Sequence, residues 1–80
     1  MFKIYVIKSI HRNYMYIGMT SNLEQRLERH NKRQNKTTKP YAPFKLIYTE
    51  EVETRIMARQ REKYLKSGIG REFLKKIINK

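Results

Sequence analysis

The sequence predicts a small α+β domain, a three-stranded antiparallel sheet flanked by helices in the order β-β-α-β-α-α. Three observations predict it. Two N-terminal stretches of strand-forming, alternating residues are separated by a short polar turn, which reads as a hairpin. Two later segments open on helix-capping residues and then place apolar side chains at helical spacing. The 80 residues suffice for one compact core and leave no room for a second, so residues 1–80 read as a single domain.

The elements follow in order. Phe2 to Ser9 alternates Ile4 and Val6 with Tyr5 and Ile7 and reads as the first strand. Ile10 to Asn13 is the turn, and Tyr14 to Thr20 is the second strand. Ser21 or Asn22 caps a helix, with Glu24 or Gln25 about one turn on, and that helix runs to about Asn31. Residues 32–43 hold Thr37, Thr38, Pro40, Pro43 and several lysines, and are expected to contain no regular element. Phe44 to Glu50 is the third strand, with Phe44, Leu46 and Tyr48 on one side and Lys45 and Ile47 on the other. Glu53 or Thr54 starts a second helix, which Gly68 is expected to stop. Gly70 to about Asn79 forms a third helix carrying Phe73, Leu74, Ile77 and Ile78.

Charge limits the partners. Nineteen Lys and Arg against seven Asp and Glu give a net charge of +12. So strong a field on so small a domain attracts polyanions by releasing their counterions, and nucleic acid is the expected partner. The basic residues are spread along the chain rather than gathered on one amphipathic helix, which argues against a membrane surface. No apolar run reaches the ~20 residues of a membrane helix, and none resembles a signal peptide. The chain contains no cysteine, so disulfides, thiolate metal sites and cysteine nucleophiles are excluded. A soluble, cytoplasmic protein is the expectation.

Three groups of residues could carry chemistry. A four-residue turn pairs Ser9 with Tyr14, so Tyr5 faces Gly18 and Tyr16 faces Ile7. Tyr5 and Tyr16 then share a face, and Gly18 leaves room for a ligand beside the Tyr5 phenol. Both could equally be ordinary strand tyrosines. Arg26 and His30 lie one helical turn apart, on the side of Leu23 and Leu27. The arginine fork suits a phosphate and the histidine suits proton transfer; a snorkelling charge and a helix-end cation are the plainer readings. On the second helix Glu62 falls in line with Ala58, Leu65 and Ile69. A carboxylate in an apolar stripe needs a metal or a cationic partner, for which Arg59, Arg61 and Lys66 are within reach. Glu50, Glu51 and Glu53 look peripheral, gathered at a helix start, and Glu72 sits similarly at the start of the third helix.

Taken in order, Lys3-Ile4-Tyr5, Tyr16-Ile17-Gly18, Thr20, Asn22-Leu23, Arg26-Leu27 and His30-Asn31 resemble the motifs of the GIY-YIG nuclease superfamily. Thr38, Pro43 to Tyr48, Glu50, Ala58, Arg61-Glu62-Lys63, Leu65-Lys66, Gly68 and Gly70-Arg71 continue the likeness over nearly the whole chain. It is similar to the short bacterial single-domain members and to the GIY-YIG nuclease domain used in nucleotide-excision repair, with Lys3 standing where the first motif has glycine. The resemblance implies a DNA endonuclease using one Mg²⁺ or Mn²⁺ ion and no small-molecule cofactor. It also implies roles. Tyr5 and Tyr16 line the site, Arg26 holds the scissile phosphate, and His30 contacts a proton or phosphate. Glu62 is the single metal-binding carboxylate; a late asparagine has only Asn79 as a poor counterpart. Free tyrosine is a weak base at neutral pH, and the neighbouring cations are expected to lower the pKa of Tyr5.

A basic nucleic-acid-binding module without catalysis, or a subunit of a larger assembly, fits the charge as well, although no RNP-type aromatic motif or GxxG clamp is present. In either case the basic loop is expected to touch phosphate through Lys32, Arg33, Lys36 and Lys39. Neutralising those four together should flatten the plot of log affinity against log salt; an unchanged slope would remove the loop from the binding surface.

Overall fold

The computed structural model describes residues 1–78. It contains β1 (Phe2–Ser9), β2 (Met15–Thr20), α1 (Leu23–Asn31), β3 (Phe44–Val52), α2 (Arg55–Lys66) and α3 (Gly68–Ile78), the order the sequence predicts. The strands form one antiparallel sheet ordered β2-β1-β3. The hairpin register is the expected one: Tyr5 lies opposite Gly18 and Ile7 opposite Tyr16. The Ser9 amide donates to the Tyr14 carbonyl at 2.9 Å, which closes the turn. Tyr14 itself stays in that turn, its amide donating to the Arg12 carbonyl, so β2 begins at Met15.

Because side chains alternate along a strand, the central β1 feeds two cores. Ile4 and Val6 pack with Ile17 and Val52 against Ala58 and Leu65 of α2 and Leu74 of α3. Tyr5 and Ile7 pack with Phe44 against Leu23 and Leu27 of α1 and against Tyr41. The molecule therefore has three layers, with α1 on one face of the sheet and α2 and α3 on the other. Ile4, Leu65 and Leu74 are wholly buried, and each such side chain stabilises the fold by roughly 1.5–3 kcal/mol.

β3 departs from the expected pattern. Val6 pairs with Tyr48 but Ile7 pairs with Leu46, leaving Ile47 as an extra residue. A bulge of this kind inverts the side-chain alternation beyond it. Phe44 consequently faces the α1 layer, whereas Tyr48 turns to the other layer and meets Phe73 edge-on at 5.6 Å. The strand also runs on to Val52, which places Glu50 within the sheet rather than at a helix start. There its carboxylate accepts from Arg61 Nε at 2.9 Å.

The helix ends follow from local chemistry. Asn22 caps α1 by accepting from the Gln25 amide. At its other end the Arg33 amide donates to the His30 carbonyl and the Gln34 amide to that of Arg29, with Arg33 at φ 61°. This is a Schellman closure on a non-glycine residue, and it ends the helix just after His30. The following segment is not wholly irregular. Pro40 presets φ for a short 3-10 turn, Lys39–Tyr41. Thr54 caps α2 through the Met57 amide.

Gly68 does not stop α2. Ser67 does, in extended backbone, and Gly68 is already the first residue of α3. Ser67 Oγ donates to the Tyr64 carbonyl and accepts from the Gly70 amide, so one serine serves both helices. The apolar stripe of α2 accordingly ends at Leu65; Ile69 belongs to α3 and is exposed. Glu72 lies beyond the first turn of α3, exposed and 3.8 Å from Lys75 Nζ. Asn79 lies outside the described residues.

Gly70 is where α2 and α3 touch. A Cβ there would lie 2.2 Å from the Tyr64 carbonyl oxygen and 2.5 Å from Leu65 Cα. Backbone cannot give way as a flexible side chain can, so Gly70→Ala should destabilise the protein by about 1–3 kcal/mol despite alanine's better helix propensity. Denaturant unfolding checks this; an unchanged or raised midpoint would mean the helices can part at no cost.

Candidate active site

Tyr5 is 1% exposed and its phenol lies across Gly18. A Cβ at position 18 would stand 2.6 Å from the Tyr5 hydroxyl oxygen and 3.0 Å from the Tyr16 ring. The space that glycine opens is therefore taken by the phenol itself rather than left for a ligand. Thus seated, the hydroxyl lies 3.0 Å from Nε2 of His30, which the last turn of α1 delivers fully buried. Nδ1 of His30 lies 2.8 Å from Oγ1 of Thr38, also fully buried.

Thr38 is the residue that sequence spacing did not single out. It matched a family position, but nothing separated it chemically from Thr37. The loop turns it inward: Asn35 Oδ1 accepts from the Thr37 amide at 2.9 Å and the Asn35 carbonyl from the Lys39 amide at 2.8 Å. A neutral imidazole carries one N–H, so in the chain Tyr5–His30–Thr38 the histidine donates on one side and accepts on the other.

Arg26 is half-buried one turn before His30. Its Nε is buried with no hydrogen-bond partner among the described residues. Buried donors are rarely left this way, and a planar guanidinium donor is matched by an oxyanion. Its charge is felt by both neighbours. Burial and then Arg26 hold His30 below its ordinary pKa, which keeps the ring neutral at pH 7. For Tyr5, burial first and Tyr16 next raise the pKa, to about 12, and outweigh the lowering by Arg26. The expectation that nearby cations depress Tyr5 is thereby corrected: losing water around the phenol matters more than gaining one guanidinium.

Tyr16 is the more exposed of the two tyrosines, its ring centroid 6.2 Å from that of Tyr5 and 5.1 Å from that of His30. Tyr5, Tyr16, Arg26 and His30 thus come together on the α1 side of the sheet. Glu62 does not share that face, because it stands on α2 in the opposite layer. Its negative charge nevertheless reaches Tyr5, whose pKa it helps to raise. The Glu62 side chain is 23% exposed and has Lys66 Nζ at 3.9 Å, while Arg61 is engaged by Glu50.

No group of three His, Cys, Asp or Glu side chains that could cage a metal exists among the described residues. A cation on Glu62 would have one hard protein oxygen and take its other ligands from water and substrate. This donor set fits Mg²⁺ or Mn²⁺, hard cations that keep much of their hydration.

The four loop cations are Lys32, Arg33, Lys36 and Lys39, and all are exposed. Lys32 caps the C-terminus of α1 and pairs with Glu28. Arg33 occupies the left-handed turn, Lys36 the loop and Lys39 the first position of the 3-10 turn.

Burial of His30 has a pH signature. Its folded pKa is lowered, so below about 6.5, where a histidine of the unfolded chain protonates, unfolding takes up a proton that the folded protein resists. Stability is therefore full above about pH 6.5 and declines as pH falls toward the folded pKa. The melting temperature of the wild type should drop between about pH 7.5 and 5, and His30→Gln should show a shallower drop. An equal drop in both would assign the titration to another group.

With this geometry established, comparison with known proteins is informative. Residues 1–74 match the GIY-YIG catalytic domain family. A UPF0213 protein of Clostridium perfringens (strain 13 / Type A) is 35% identical over 78 residues, covering 96% of this chain and 83% of its own length. No solved structure matches the chain. The hairpin that carries both motif tyrosines, the helix that carries Arg26 and His30, and Glu62 all lie inside the matched span, and the chain belongs to the GIY-YIG family of nuclease domains.

Proposed function

We propose that the chain is a DNA endonuclease that hydrolyses phosphodiester bonds with the help of one divalent ion, Mg²⁺ or Mn²⁺, on Glu62. The observation that carries this reading is the Arg26 donor buried without an acceptor beside a neutral, hydrogen-bonded tyrosine–histidine pair. Such a site is matched to an oxyanion and holds groups able to move a proton.

When bound, the ion supplies Lewis-acid charge for the leaving 3′-oxygen. The chain's own residues do the rest. Arg26 donates to a non-bridging phosphate oxygen and gains strength as charge builds there in the transition state. Tyr16, the more exposed phenol, orients the attacking water or the phosphate. Tyr5 is too weak an acid to act as a standing phenolate at neutral pH. It serves instead as a relay: its oxygen takes the water's proton while its own passes to Nε2 of His30, and the imidazolium so formed, disfavoured by burial and Arg26, gives that proton back along the same path as the step completes. Thr38 fixes the ring for that transfer through Nδ1. The loop cations Lys32, Arg33, Lys36 and Lys39 contribute sequence-independent phosphate attraction.

Two substitutions test the reading against that of a non-catalytic binding module. Glu62→Gln keeps size and shape and removes the anionic ligand; Tyr5→Phe keeps the ring and removes the hydroxyl. Nicking of supercoiled plasmid in Mg²⁺ should fall by roughly two or more orders of magnitude in each, with DNA affinity near wild type. Glu62→Gln should melt near wild type, whereas Tyr5→Phe leaves buried His30 Nε2 unpartnered and should lose about 1–3 kcal/mol of stability. Undiminished nicking by Glu62→Gln would place the metal elsewhere. A wild type that binds DNA but nicks no substrate with either ion would leave the binding module.

A further inference from the structure

The edge of the sheet next to the site holds a groove of about 420 Å³. Its floor is the β2 edge, Tyr14 to Ile17, where Met15 and Ile17 face the α2–α3 layer and Tyr14 and Tyr16 the α1 layer. Its wall is Lys66 at the end of α2 and Arg71 and Lys75 on α3. The floor is largely apolar and aromatic, and the wall carries three cations. The Tyr14 ring is held in place by stacking on Tyr41, with centroids 3.8 Å apart and planes 7° from parallel.

The groove adjoins the candidate active site at two points. Tyr16 belongs to both, and Lys66 Nζ lies 3.9 Å from Glu62. Lys75 has Glu72 at 3.8 Å, an exposed and therefore weak pairing, and Arg71 makes no ion pair among the described residues.

We propose that this groove is a subsite for one DNA strand, holding the sugar–phosphate backbone of the nucleotides next to the scissile phosphate. The inference rests on the nuclease reading above and adds to it where the substrate runs. A whole duplex cannot enter a groove of about 420 Å³, whereas a single strand can. Cations along one wall, Met15 on the floor and the tyrosines at the strand edge are what one strand requires: charge for its phosphates and polarisable surface for its bases. The position also explains why Arg71 and Lys75 are cationic although they face neither core. A strand lying between them and Tyr16 is led past Glu62 to Arg26.

The test is salt-dependent binding of a labelled single-stranded oligonucleotide, read by fluorescence polarisation with Ca²⁺ in place of Mg²⁺. Arg71→Gln with Lys75→Gln removes two wall charges and leaves the proposed catalytic residues intact. Arg55→Gln with Arg59→Gln removes the same charge from exposed positions of α2 outside the groove. The wall variant should lower affinity about tenfold at low salt and reduce the slope of log affinity against log salt by about 1.4, which is ~0.7 for each phosphate of the single strand no longer neutralised. The control should change the slope far less. Equal losses in both would reduce the effect to net charge and overturn the groove. Wall-variant binding equal to wild type would overturn it too, with the nuclease reading intact if wild type still nicks plasmid. A wild type that neither binds nor nicks DNA would bring down both. Melting of the two variants beside wild type separates weaker binding from impaired folding.

Discussion

Tyr5 can reach His30 only because Gly18, its cross-strand partner, has no side chain: a single Cβ there would collide with the phenol. Two conditions must hold together for this to happen. The hairpin must pair in a register that sets position 18 opposite position 5, and that position must be glycine. A slip of one residue would put Tyr16 on the opposite face of the sheet from Tyr5. The turn, the strand pairing and the glycine are therefore one device, and the buried Tyr5–His30–Thr38 chain is its product.

That chain ties together segments that would otherwise be separate. His30 enters from the end of α1, and the Schellman closure on Arg33 ends the helix immediately afterwards. Thr38 enters from the loop, whose backbone folds back on Asn35. Asn31 then accepts from the Phe44 amide at 2.7 Å through Oδ1 and fixes where β3 begins. Phe44 in turn meets His30 edge-on, 5.8 Å between ring centroids. Helix, loop and third strand are thus anchored around one imidazole. Its neutrality is part of the arrangement, because a protonated ring so buried and so near Arg26 would be unfavourable.

Charge is distributed with the same economy. With 19 basic and seven acidic residues, few carboxylates are available to neutralise cations. Glu50 is committed to Arg61, and Glu28, Glu51 and Glu72 pair with lysines at the surface. Glu62 is left partly buried with one distant lysine, and Arg26 keeps an unsatisfied donor. Both unbalanced charges reach Tyr5, and the positive remainder gives the surface a field that attracts polyanions.

Much of this was legible in the residues. The order of elements, the β1–β2 register and the narrowing of each helix start to two candidate residues follow from local signals: alternation, turn length and capping chemistry act over a few residues and need no partner. The motifs identified the family, and four of the five residues they pointed to, Tyr5, Tyr16, Arg26 and His30, come together on one face of the sheet. What local signals could not reach was decided by packing. The bulge at Ile47 sends Phe44 and Tyr48 to different cores, because β3 must satisfy α1 on one face and α3 on the other. Gly68 joins α3 because Ser67 already ends α2. The filling of Gly18's space by the Tyr5 phenol, and the rise in that phenol's pKa, depend on how much water the neighbouring layer removes. Spacing measures position along the chain, and desolvation is a property of what closes over it.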